Sequence, residues 1–465
     1  MMRAQRVRAV LLACGASLTV LFTPVTAGGQ TGLRTVAPAT TDAFIGWARA
    51  NAIQISLSRP GSAASPPRAA DLQLLAAVIG DARVVALGEP AHGAHEPLAF
   101  RNRLFAWLVQ EQHFSAIAIE SGLCESQEAY TFVLGGPGDA ASVTRHSLTW
   151  GFGAFAENVE LIRWIRDWNL DASHVRKVRF YGIDLCGGAE AGLPGAGIAL
   201  SKILAYFARV APDLARDARA VLQPHLEQFT DKTYPTLPEV DRRRVRDALA
   251  ELKTVLVQRR DALAAASTAI DYEWALQDVV VAQSLEHTLK LWPRHAPTIG
   301  VSADSYASFV ARDAAMADNI RWVLEREGPS GHILVFAHDG HVQNGSARGG
   351  LWSVYTHAPE AMGKHLRSFF GEHLLIIGAS AGVDAAPLPA AIHHPEGLDE
   401  ALAAVGLPAF LLDLRRASDM PAIQSWLAQP RSLRANFTTE FELSPGEAFD
   451  ALVFFATLTP AGSAE

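Results

Sequence analysis

The residues with the greatest chemical capacity in this chain lie in two short runs. The first, Gly88-Glu89-Pro90-Ala91-His92-Gly93-Ala94-His95-Glu96, crowds two imidazoles, two carboxylates and two glycines together. The second, Phe336-Ala337-His338-Asp339-Gly340-His341, sets two histidines three apart around an acid and a glycine. Histidine changes charge near neutral pH and so suits general acid or base work. A neighbouring carboxylate can orient the ring and favour its charged form. Glu120 and Asp184 stand alone, each directly after an apolar run. Arg101, two turns into the helix expected after His92, could reach back as a fixed cation toward a carboxylate or a substrate oxygen. Each feature also has a plain structural reading. Glycines turn a solvated loop, a lone acid caps a helix, and an arginine makes a surface salt bridge.

Convergence favours chemistry over those readings. Residues 83–87, 115–119, 178–183 and 333–336 are short apolar strands, and they deliver Glu89 and His92, Glu120, Asp184, and His338 and His341 to one sheet edge. The carboxyl edge is where open α/β sheets bind ligands, and glycine there lets backbone approach closely. Further strands are expected at 374–377, 410–412 and 452–455, with helices at 42–56, 70–79, 97–110, 125–134 and 159–168. Such short apolar runs between amphipathic helices predict an α/β fold, a layered and mostly parallel sheet flanked by helices. Between 194 and 328 the strand signal disappears. Spacings such as Val245, Leu249, Leu252 and Leu256 predict a helical insertion or cap, a lid over the sheet. The expected organisation is a signal peptide at 1–27, a flexible lead-in at 28–40, a first α/β part at 41–193, the insertion at 194–328 and a second α/β part at 329–465.

The 465 residues are 49% hydrophobic and 19% charged, with a net charge of −8. That composition supports a sizeable core, and with no basic stripe it argues against a nucleic-acid partner. The N-terminus has a basic Met1–Arg8, an apolar stretch over 9–22 and a small-residue cleavage site at Val25-Thr26-Ala27. As a helix that stretch would reach about 21 Å against a hydrocarbon core of about 30 Å, so no stable membrane span is expected. The expectation is an exported protein, periplasmic or secreted. Removing the leader would leave Cys124 and Cys186, expected as two small buried residues, with a single disulfide as the alternative.

The run GEPAHGAHE, Arg101, Glu120, the ENVELIRWIRDWN segment at 157–169, the GID at 182–184, the ARDAAMADNIRW stretch from Ala311 and the AHDGH run resemble, in this order, the erythromycin esterase family. The resemblance spans residues 71–455. It implies metal-independent hydrolysis of an ester or macrolide lactone by histidine-activated water, a small-molecule ester substrate and no cofactor. It assigns His92 as general base and Glu89, Arg101, Glu120, His338 and His341 as supporting residues. Ala91 and Asp339 replace a threonine and an asparagine common in the family. Three other readings compete. Glu89, His92, Glu120, His338 and His341 could be metal ligands, although their spacing fits no standard zinc motif. Gly378-Ala379-Ser380-Ala381-Gly382 fits a nucleophile elbow, with Asp384 and His393 or His394 as partners, yet Pro387 and Pro389 follow where a helix should start. The histidines could also hold haem or a small molecule in a periplasmic binding protein.

Overall fold

The computed structural model describes residues 38–55, 69–187, 195, 197–293, 302–390 and 394–464. The apolar runs become strands β1 (Ile53–Gln54), β2 (Val84–Glu89), β3 (Ala116–Gly122), β4 (Arg179–Asp184), β5 (Ile333–His338), β6 (Leu374–Asp384) and β7 (Ala409–Asp413). A separate antiparallel pair, β8 (Arg431–Arg434) with β9 (Glu440–Leu443), precedes β10 (Ala451–Leu458). The main sheet runs β1-β7-β10-β6-β2-β5-β3-β4. From β10 to β4 neighbouring strands are parallel, whereas β7 and β1 add antiparallel at the far edge. The fold is thus α/β, with a mostly parallel central sheet flanked by helices.

β2, β3 and β5 are buried at every residue, as central parallel strands must be. Their side chains alternate between two cores. Val84, Ala86, Ala118 and Val335 face one, and Val85, Leu87, Ile119 and Phe336 face the other. The second core is closed by the helices His95–Gln112 and Ala156–Leu170. The first is closed by Pro38–Asn51 together with the helices of the insertion, Gly197–Val210, Glu239–Gln258, Ala269–Leu291 and Tyr306–Glu327. Leu249, Leu256 and Val281 share one apolar cluster with Val84 and Val335. The insertion is therefore a helical layer along one sheet face. Burying each such side chain contributes about 1.5–3 kcal/mol, which is why its helical stripes point inward.

One expectation is corrected and one competing reading is removed. Cys124 and Cys186 form a disulfide, with Cα atoms 5.4 Å apart, which ties the start of helix Leu123–Val133 to the segment after β4. Ser380 sits fully buried inside β6, which runs straight through the G-x-S-x-G sequence, so no elbow forms. Its hydroxyl donates to Asp399 (2.6 Å). The expected leader at 1–27, most of the lead-in at 28–40 and His393 lie outside the described residues, while residues 38–40 open the first helix. Among the described residues no helix is long and apolar enough to cross a membrane.

Candidate active site

Glu89 is the last residue of β2, and a turn returns His92 over it. His92 Nδ1 lies 2.6 Å from Glu89 Oε1. Two glycines permit the turn. A Cβ on Gly88 would stand 1.9 Å from Asp339 Oδ1, and Gly93 has φ +77° with Phe155 Cζ only 3.1 Å from where a Cβ would be. Burial pushes the His92 pKa down, but the charge and hydrogen bond of Glu89 and the charge of Glu120 outweigh it, so the net shift is upward despite the nearby His341. Among the described residues His92 makes no other side-chain hydrogen bond, which leaves Nε2 available. The Glu89 Oε2 atom is buried without a partner.

His338 ends β5, the strand beside β2, and its ring centre lies 5.0 Å from that of His92. Its Nδ1 accepts the Gly340 backbone N–H at 3.0 Å. A nitrogen that accepts carries no proton, so the neutral ring must carry its proton on Nε2. That Nε2 is buried and makes no hydrogen bond of full geometry, with the Ala435 carbonyl the group that draws on its proton. Burial, reinforced by the charges of His92 and His341, pushes the His338 pKa down to about 3 against the pull of Glu120 and the Ala435 carbonyl. His338 is therefore a neutral donor in a fixed tautomer.

Glu120 leaves β3 where its pairing with β4 shifts register, the kind of irregularity that re-aims a side chain at a sheet edge. One carboxylate oxygen accepts the His338 backbone N–H (2.8 Å), and the other faces His341 Nε2 (3.3 Å) and Arg312 (3.2 Å). Burial opposes its ionisation, yet His341, His92 and Arg312 hold its pKa well below the usual range. His341 Nδ1 lies 2.8 Å from Asp313. Burial opposes protonation of this ring too, but Asp313 and Glu120 raise its pKa to about 10. His341 is a standing cation between two carboxylates, so the 3.3 Å approach of Arg312 Nη1 to its Nε2 is a repulsive contact.

Arg312 grips Asp184 at the end of β4 with two hydrogen bonds, 3.0 and 2.7 Å. Trp150 donates from its indole to the same carboxylate (3.1 Å) and stands over the guanidinium. Phe152 lies 5.2 Å from the His92 ring. Thr149, hydrogen-bonded to Ser121 and Gly122 of β3, fixes that loop.

Sequence reasoning placed Glu89, His92, Glu120, Asp184, His338 and His341 at one edge, and the structure brings them together there. Arg101 is near but below them. Its guanidinium donates to the Asn102 and Asn158 side chains (2.8 Å each through Nη2) and lies over Phe336 rather than holding a carboxylate. It lines a cavity of about 10 Å³, the size of roughly one water, with Glu89, Glu120 and Phe155. Burial lowers its pKa to about 10 against the pull of Glu89 and Glu157, so it is a cation at neutral pH. Arg312, Asp313, Trp150 and Phe152 were missed. The signal for the first two was an Arg-Asp pair on the helix face that also carries Met316 and Ile320 inward. Among the described residues no group of three or more His, Cys, Asp or Glu could hold a metal ion.

The erythromycin esterase model matches residues 109–458. The chain belongs to the erythromycin esterase family. The matched segment holds Glu120, Asp184, Arg312, His338 and His341, whereas Glu89, His92 and Arg101 precede it. Erythromycin esterase type II of Escherichia coli is 24% identical over 319 residues, 67% of this chain and 72% of that one. A crystal structure of a Bacillus cereus protein superposes with TM-score 0.74 at 24% identity, covering 90% of this chain and 98% of the other. A mutant of the erythromycin esterase EreC in its open conformation gives TM-score 0.64 at 17% identity, covering 86% and 97%. The solved structures establish the shared fold, and family membership supports a hydrolase.

Proposed function

We propose that this chain is an exported esterase that opens a carboxylic ester or macrolactone with water activated by His92. The observation that carries the reading is the facing of two unlike histidines, one paired to a carboxylate and the other neutral with its proton fixed on Nε2. Glu89 holds the Nδ1 proton of His92 and leaves Nε2 to take a proton from water. The resulting imidazolium is stabilised by Glu89 and Glu120. As the hydroxyl adds to the carbonyl, negative charge develops on oxygen, and the His338 Nε2–H is a preorganised donor for it. His341, Arg312 and their carboxylates act as a rigid charged wall that keeps His338 and Glu120 in place. His92 then returns its proton to the leaving alkoxide.

Export is supported by the basic, apolar and small-residue pattern of residues 1–27 and by a disulfide, which persists in oxidising compartments. The test incubates the chain from Gly28 onward with a panel of macrolides and simple esters and follows products by mass. A mass gain of one water in a macrolide, or acid and alcohol from a simple ester, is expected for at least one substrate, at a rate that falls about 10²-fold or more in His92→Ala. Turnover near the wild-type rate in His92→Ala would sink the assignment.

A further inference from the structure

The reading of His92 as base leaves unexplained why a stretch beyond the sheet is bonded so densely to the loops around it. After β10 the chain runs extended between two loops, one carrying His92 and the other carrying Phe152 and Phe155. On the first side Thr459 accepts the His95 backbone N–H (2.8 Å), and the Glu96 carboxylate accepts both the Thr459 N–H and its hydroxyl (2.7 Å each). The Ala461 N–H donates to the carbonyl of Gly93, the residue directly after His92 (2.9 Å). On the second side the Glu157 carboxylate accepts the Gly462 N–H (3.0 Å), the Gly462 carbonyl accepts from Ala156 (2.8 Å), and the Ala464 N–H donates to Ala154 (2.9 Å). Isolated bridges pair Ala94 with Pro460 and Phe155 with Ser463.

The two loops also touch each other across His92. Phe152 packs beside its ring, and Phe155 presses on Gly93. Their spacing is set by a single extended segment hydrogen-bonded to both, much as a strand sets the spacing of its neighbours. The family match ends at Leu458, so this segment lies just beyond it.

We propose that Thr459–Ala464 is a positioning strap, fixing the distance of the His92 ring from Glu89 and His338. The proposal rests on the esterase reading only for its kinetic consequence. A displacement of roughly 1 Å in such a group can cost on the order of 10²-fold in rate.

Two variants test it, a chain ending at Leu458 and Glu96→Ala, which removes the acceptor of both Thr459 donors. One readout is independent of turnover. In protein labelled with ¹⁵N-histidine, the hydrogen-bonded Nδ1 proton of His92, assigned by its loss in His92→Gln, should resonate far downfield in the wild type. Both variants should shift it upfield or broaden it. For any ester the wild type cleaves, kcat should fall about tenfold or more in the shortened chain and severalfold in Glu96→Ala, with KM within about twofold. Glu96→Gln, which keeps one acceptor oxygen, should recover most of the loss. A folded Glu96→Ala with wild-type resonance and kcat would overturn the strap, and it decides the matter if the shortened chain does not fold. A wild type that shows the resonance but cleaves no ester would instead refute the esterase reading, with the strap still judged by the resonance.

Discussion

Two histidine–glutamate pairs have their histidines three residues apart, and both bring Nδ1 to 2.6 Å from a carboxylate oxygen. In Glu89–His92 the second carboxylate oxygen is buried without a partner, and the ring faces His338 and the field of Glu120. In Glu157–His95 the carboxylate also accepts the Gly462 N–H, and the His95 backbone is itself tied to Thr459. Burial raises the Glu157 pKa, but the hydrogen bonds from His95 and Gly462 bring it below its ordinary value. One pair therefore points toward a neutral proton donor, and the other closes a structural joint. A short His–Glu contact does not make a catalytic base. What decides is the group placed opposite the free face of the ring.

Substitutions at the two pairs can break that distinction. His92→Ala should lower kcat by about 10²- to 10⁴-fold in steady-state assays, with an unchanged circular dichroism spectrum. His95→Gln should cost less than about tenfold. Equal losses would erase the contrast. His338→Ala should cost about 10²- to 10³-fold as a lost oxyanion donor, with the deficit in kcat rather than KM. Because His338 remains neutral down to about pH 3, it should add no inflection to the rate profile between pH 5 and 9. Among stability effects, replacing Cys124 and Cys186 with alanine together should cost about 4 kcal/mol in denaturant melts, since the bridge spans 62 residues. The smallest effect on rate belongs to Ser380→Ala. It should leave kcat unchanged while reducing stability by roughly 1–3 kcal/mol, because Asp399 loses a donor in a buried site. Loss of turnover there would restore the serine as a candidate nucleophile.

The parallel strands were legible because burial on both faces leaves no room for polar residues until the strand ends, where Glu89, Glu120, Asp184 and His338 appear. The short β1 and the β8–β9 pair were not, since each is too brief to show a period. The nine-residue run around His92 read as one constellation, yet it divides in space. Glu89 and His92 enter the site, whereas His95 and Glu96 hold the segment after β10, a contact spanning more than 360 residues. Arg312 and Asp313 escaped notice because they lie on a helix of the insertion, 128 residues or more from Asp184, and periodicity alone reads that helix as covering. The disulfide was equally illegible. Two cysteines carry no geometry, and only the packing of Leu123–Val133 against the end of β4 brings their backbones within bridging distance.

The most direct test of His92 as the base is the pH dependence of kcat/KM in the wild type and in Glu89→Gln. A base with a raised pKa is protonated and idle at low pH, so the wild-type rate should rise with pH through an inflection above 6.5. It should hold until His341 loses its charge near pH 10. In Glu89→Gln the chief influences raising the His92 pKa disappear while burial remains, so the acid inflection should move down toward or below 6.5, with kcat reduced about tenfold or more. An acid limb that stays in place in Glu89→Gln would contradict His92 as the titrating base.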